Sequence, residues 1–281
     1  MVDQMPASIV SVRSTKGLMK FSEPFSERPR YHANDSSRDV LNLVEYEVEV
    51  LNGRALDEPP SLEREGLKLL HAPTAVTDFR DDAQTADIYA KEIIDLVTRE
   101  TGADKVLLGG PGVLRFAENS PECGKRNNSR PARFIHNDVS EATAQNLAKY
   151  VLGEGDDLAN YQTFAMFNIW RPFSPPPQNI PLAVLDGRTL EKGDLLAAEA
   201  VFDEVGKPDW SFEGYLVRHN PAQRWIYYPE MGAEDALMFT TFAYRDGEPF
   251  YNPHTGFDDP DCPADAPPRE SIEMRAIAFY R

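Results

Sequence analysis

The stretch FAMFNIWRPFSPPPQNIP, residues 164–181, decides the fold. A short apolar run meets a proline-rich segment that cannot continue a sheet, and the same alternation of run and turn repeats to the C-terminus. LLAAEAVF (195–202), GYLVRH (214–219), WIYYP (225–229), ALMFTTFAY (236–244) and SIEMRAIAFY (271–280) read as strands. Turns such as VGKPDW (205–210) and DDPDCPADAPP (258–268) separate them.

Upstream the pattern differs. LVEYEVEVLNGR (43–54) alternates Val44, Tyr46, Val48 and Val50 with Glu45, Glu47 and Glu49, a half-buried strand ending at an Asn52–Gly53 turn. GLKLLHAPTAV (66–76) reads as a further strand. Residues 82–101 carry Ile88, Ile93, Leu96 and Val97 at helical spacing before Gly102, and KVLLGG (105–110) follows as a buried strand. SEATAQNLAKYVLG (140–153) is a helix capped by Ser140 and stopped by Gly153. Helices first and many short strands afterwards predict an α+β, mainly β protein: a β-sandwich or jelly roll with flanking helices.

No repeat or linker divides the chain, so residues 1–281 read as one domain. An N-terminal arm and strand run to residue 60, and a helical flank with the first candidate ligand strand occupies 61–160. The jelly-roll strands fill 161–281.

Composition narrows the partners. The 281 residues are 41% hydrophobic and 27% charged, with a formal net charge of −17. Such a surface repels phosphate backbones, which argues against nucleic acid and anionic membranes as partners. An anionic small molecule would have to be held by a few buried arginines. The two cysteines, Cys123 and Cys262, lack paired spacing. The opening MVDQMPASIVSVRSTKG has no apolar signal core, and no run reaches membrane-spanning length. A soluble cytoplasmic protein, monomer or homodimer, is expected.

The chemistry is concentrated in FIHNDVS, residues 134–140. On a strand, side chains two apart share a face, so His136 and Asp138 project together beside the apolar bulk of Phe134, Ile135 and Val139. An imidazole and a carboxylate so placed can hold two sites on a divalent metal. Of the other histidines, His32 in RYHANDSS reads as a surface residue, His71 precedes a proline, and His219 sits in a turn. His254, in YNPHTGFDDP, is the natural third ligand. Arg269 and Ser271 follow His254 by fifteen and seventeen positions at the start of a strand, an Arg-x-Ser pair suited to a carboxylate.

The order His136-x-Asp138 … His254 … Arg269-x-Ser271 resembles that of the Fe(II)/2-oxoglutarate-dependent dioxygenases. RPARFIHNDVS, FNIWRPF with PLAVLDGRTL, WIYYPEM with EDALMF, and NPHTGFDDPDCPADAPPRESIEMRAIAFY are similar to one branch, the hydroxylase/desaturase (gibberellin desaturase-like) family of natural-product pathways. The likeness is specific in the C-terminal block and weak in the N-terminal third. It implies a double-stranded β-helix, or jelly roll, with Fe(II) on His136, Asp138 and His254. It also implies 2-oxoglutarate on Arg269 and Ser271, and O2 as oxidant. Arg275 is a rival for the carboxylate, because alternation puts all three on one face. Trp170 and Arg171 also match, and with Phe134 are candidates for the substrate wall, core packing being an equal reading of Trp170. The implied reaction is hydrogen abstraction from a small, largely apolar metabolite, leading to hydroxylation, desaturation, epoxidation or oxidative cyclisation.

Two other classes fit part of the pattern. A metal-free jelly roll could bind a ligand, but would not need Arg269 and Ser271. A zinc-dependent hydrolase could use the same three ligands with Glu270 or Asp258 as base, leaving Arg-x-Ser unexplained. LGGPG (108–112) lacks the Lys-Ser/Thr ending of a phosphate loop and reads as a tight turn.

Overall fold

A computed structural model describes residues 13–281; the first twelve residues of the arm lie outside it. Two facing sheets form the core, with the helical segment of residues 82–101 on the outer side of one and the helix of residues 141–152 packed against residues of both. The first sheet runs, in spatial order, β1 (Ser14–Ser22), β3 (Leu43–Asn52), β12 (Trp225–Tyr227), β9 (Leu182–Leu185), β15 (His254–Gly256), β7 (His136–Asn137), β11 (Trp210–Val217), β10 (Leu195–Phe202) and β2 (Arg30–His32). The second runs β14 (Glu248–Phe250), β13 (Asp235–Arg245), β8 (Thr163–Pro172), β16 (Glu270–Tyr280) and β5 (Lys105–Leu108). In addition β4 (Leu67–His71) pairs with β13 and β6 (Val113–Phe116) with β16. Neighbours far apart in sequence define a jelly roll.

FAMFNIW is apolar throughout because β8 is covered on both faces. Phe164 and Met166 face the first sheet, whereas Ala165, Phe167 and Ile169 pack under the helical flank. The flank is the short helix α1 (Asp82–Gln84), a π-helical turn over Thr85–Tyr89, and α2 (Ala90–Thr101). Ile93, Leu96 and Val97 of α2 are buried against Met274, Ala276 and Ala278 of β16. Gly102, at φ 66°, ends α2 in the left-handed region that glycine tolerates best. Helix α3 (Glu141–Leu152) starts where expected, with the Ser140 hydroxyl accepting from Thr143 N–H.

The arm differs from expectation. Residues 14–22 pair with β3 over nine residues, and β2 adds in parallel to β10, so the arm extends the first sheet at both ends. Thr15, Gly17, Met19 and Phe21 all point inward, an alternation hidden because two of the inward residues are not apolar and Leu18, which is, faces outward. All three sequence regions therefore contribute strands to one sheet.

Candidate active site

Strand β7 is only two residues long, yet it is gripped on both sides. His136 pairs with Leu216 of β11 and with His254 of β15. Gly214 permits the β11 approach: a Cβ there would stand 2.6 Å from the carbonyl oxygen of Asp138 and 2.8 Å from that of Asn137. As the two-residue period requires, the Asn137 side chain turns away, donating to the carbonyls of Val139 and Thr241.

His136, Asp138 and His254 are all buried, and their ligand atoms lie within 4.8 Å of one another. Each imidazole bonds through Nδ1 to the carbonyl two residues earlier, His136 to Phe134 at 3.0 Å and His254 to Asn252 at 3.4 Å. An Nδ1 bonded to a carbonyl is the protonated one, so Nε2 keeps its lone pair. Burial, reinforced by His254, pushes the His136 pKa down to about 4, and burial lowers that of His254 as well. Both rings are therefore neutral donors at physiological pH.

Asp138 splits its two oxygens. Oδ1 lies 3.6 Å from His136 Nε2. Oδ2 accepts from Asn168 Nδ2 at 2.7 Å and lies 3.3 Å from Arg275 Nε. Asn168 and Arg275 are themselves cross-strand partners on β8 and β16. Burial opposes the Asp138 charge, but the Arg275 guanidinium, helped by the Asn168 hydrogen bond, outweighs it and holds the carboxyl well below its usual range. Burial likewise opposes the Arg275 cation, which Asp138 and Glu273 keep above its ordinary pKa. Two neutral nitrogens and one carboxylate oxygen form a donor set that can hold a divalent ion.

Two cavities meet at Asp138 and Arg275. One, about 520 Å³, is walled by Leu147, Met166, Phe202, Trp210 and Phe212. The other, about 400 Å³, is more polar and takes in Tyr31, Arg115, Phe134 and His136.

Arg269 is 2% exposed, and none of the described carboxylates pairs with it. Its Nε has no hydrogen-bond partner, and its guanidinium lies 5.9 Å from the centre of the Trp170 ring. Burial and then repulsion from Arg115 push its pKa down to about 10. A Cβ on Gly256, two residues after His254, would lie 3.7 Å from its Nη1. Ser271 is fully buried on the same inner face. Arg275 shares that face, but it pairs with Asp138 and with Glu273 at 3.0 Å, which separates it from Arg269.

The remaining candidates divide. Phe134 lies with its ring 5.0 Å from Tyr31 and 5.5 Å from His136, at the polar cavity. Trp170 is packed between the sheets as a shelf under Arg269. Arg171 does not meet its expectation as a substrate wall. It points to the helical side, where it donates to Tyr89 Oη at 3.2 Å and to the carbonyls of Ala72 and Ala233. His32 is not a surface residue either; its side chain is buried 3.1 Å from Asp39. Glu270 and Asp258, the bases a zinc hydrolase would require, pair with Arg80 and Arg133. Sequence reasoning missed Asn168, although a lone amide inside an apolar strand is itself a signal of a buried partner.

A jelly roll with two histidines and one carboxylate where its cavities meet has the architecture of a non-heme metal oxygenase. The family described as oxidoreductase/YMDC permease-like domain matches residues 19–279. The Fe(II)/2-oxoglutarate-dependent dioxygenase nvfI of Aspergillus novofumigatus is 32% identical over 202 residues, covering 71% of this chain and 69% of that one. The hydroxylase/desaturase efuI of Hormonema carpetanum is 25% identical over 236 residues, 78% of this chain and 79% of its own. Among solved structures, a variant of the iron and alpha-ketoglutarate-dependent endoperoxidase NvfI superposes with a TM-score of 0.81 at 26% identity, over 96% of this chain and 98% of that one. The chain belongs to this family of Fe(II)/2-oxoglutarate-dependent dioxygenases.

Proposed function

We propose that the protein is an oxygenase of natural-product biosynthesis that uses Fe(II), 2-oxoglutarate and O2 on a small, largely apolar metabolite. In this reading His136, Asp138 and His254 hold the iron, and Arg269 with Ser271 holds the distal carboxylate of 2-oxoglutarate. The observation that carries it is the convergence of two neutral Nε2 atoms and one carboxylate oxygen within 4.8 Å, near a buried guanidinium that lacks an acid.

When bound, iron and 2-oxoglutarate supply the oxidising power, coupling O2 reduction and decarboxylation to succinate and CO2 with hydrogen abstraction from a substrate C–H. The protein's part is positional. The Phe134 and Asn252 carbonyls orient the two rings. Asn168 and Arg275 hold one oxygen of Asp138 and so leave the other for the metal. The apolar cavity binds the metabolite beside Asp138, and Phe202, Trp210 and Phe212 keep water from it. Hydroxylation, desaturation, epoxidation and cyclisation all follow from the same abstraction.

No helix among the described residues is long and apolar enough to cross a membrane. With a net charge of −17, a single-domain cytoplasmic enzyme, monomer or homodimer, that binds small molecules rather than nucleic acid fits best.

The test is anaerobic titration of the metal-free protein with Fe(II) and then 2-oxoglutarate. A weak visible charge-transfer band that is absent in His136→Ala supports the reading. Iron binding without the band removes the co-substrate, and no iron binding removes the whole proposal.

A further inference from the structure

Strand β6 brings another guanidinium to the Arg269–Ser271 side of the site. Arg115 stands directly opposite Ser271 in the antiparallel register of β6 and β16. Opposed residues send their side chains to the same face. Leu114 and Phe116 pack on the helical side, which leaves Arg115 facing inward with Ser271 and Arg275.

Arg115 is fixed along one edge only. Its Nη1 donates to Asn128 Oδ1 at 2.6 Å and to the Asn128 carbonyl. Asn128, held at φ 52°, is itself tied to the arm by its N–H, which donates to Asn34 Oδ1 at 2.7 Å. No described carboxylate pairs with Arg115, although it lines the 400 Å³ cavity together with His136, Asp138 and Tyr31. Burial lowers its pKa, Arg275 adds to the effect, and Glu273 opposes it. Arg115, half-buried at the cavity wall, and the buried Arg269 thus repel one another, and no described acid pairs with either. Such an arrangement is unfavourable unless an anion joins them.

We propose that Arg115 binds the metal-side carboxylate of a 2-oxo dicarboxylic acid whose far carboxylate is held by Arg269. The assignment rests on the iron and 2-oxoglutarate reading above. Arg115 takes the near end because it shares a cavity with two metal-ligand candidates, whereas Arg269 lies beyond Ser271 on the Trp170 ring. A planar fork with free donors suits a carboxylate, and one class of ligand, the 2-oxo diacid, satisfies both cations at once.

The test is isothermal titration of Mn(II)-loaded protein with 2-oxoglutarate and with 2-oxovalerate, which ends in a methyl where the diacid has its far carboxylate. Arg115→Met should weaken both ligands about tenfold or more, the usual scale for losing a charge-assisted bond. Arg269→Met should weaken 2-oxoglutarate alone. Arg115→Lys keeps the charge without the fork and should weaken both ligands by less than Arg115→Met does. Mn(II) binding, followed by its electron paramagnetic resonance signal, serves as the check that each variant is folded. Unchanged affinities in both Arg115 variants overturn the inference while the parent reading stands. Loss of 2-oxoglutarate binding alone in Arg115→Met overturns it by moving Arg115 to the far end. Failure of the wild-type protein to bind 2-oxoglutarate overturns the parent reading, and the inference falls with it.

Discussion

His136 and His254 are direct cross-strand partners, β7 against β15, with ring centroids 4.5 Å apart. Burial suppresses protonation of both rings, His254 adds to the effect on His136, and His136 presents its Nε2 to Asp138 at 3.6 Å. Fe(II), or Mn(II) as a surrogate, should therefore stabilise the protein by about 2.7 kcal/mol at a hundredfold excess over Kd. The thermal midpoint should rise by roughly 5–10 °C. His136→Ala and His254→Ala should keep the fold and lose the shift. A midpoint in His136→Ala that still rises with metal would remove these residues as ligands.

The two arginines of β16 predict a split in behaviour. Arg275 and Asn168 hold Asp138 Oδ2, so Arg275→Met or Asn168→Ala should weaken metal binding about 10–100-fold, the scale for partners that orient a ligand. Arg269→Ala should leave metal affinity near wild type and raise the 2-oxoglutarate requirement. Separate titrations of metal and co-substrate decide this. If Arg275→Met raises only the 2-oxoglutarate requirement, the two arginines exchange roles.

What was legible in the sequence follows from what is local. The His136-x-Asp138 pair could be read because strand geometry puts alternate residues on one face, and the Ser140 cap because it acts within one turn. FAMFNIW read as a strand, but its two faces could not be told apart, since both are buried by apolar neighbours. Trp170 and Arg171 are adjacent and point in opposite directions, and only the register with β16 reveals which one lies on the inner face. Arg115 is set beside Ser271 by a pairing across 156 positions, which local pattern does not encode. His32 sat in polar sequence and read as surface, yet Asp39 folds back to bury it.

Gly214 is the point where packing meets chemistry. Any side chain there drives into the carbonyls of Asn137 and Asp138, backbone that cannot swing aside as a side chain would. Gly214→Ala should cost about 1–3 kcal/mol by overpacking and, by displacing Asp138, should weaken metal binding as well. Chemical denaturation measures the first effect and Mn(II) titration the second. A variant with wild-type stability and metal affinity would show that β7 has slack not visible in its tight pairing.

Arg171 gives the opposite expectation to the arginines of the site. Its guanidinium is 1% exposed and satisfies Tyr89 Oη and the carbonyls of Ala72 and Ala233, joining β8 to the helical flank. Arg171→Met keeps much of the volume but strips these acceptors of their donor in a buried setting, at about 1–3 kcal/mol for each group left unpaired. The thermal midpoint should fall by several degrees, on the scale of roughly 2–4 °C per kcal/mol. Affinities for Mn(II) and 2-oxoglutarate, measured well below that midpoint, should match wild type. A stable variant with weakened co-substrate or substrate binding would return Arg171 to the cavity wall from which its contacts exclude it.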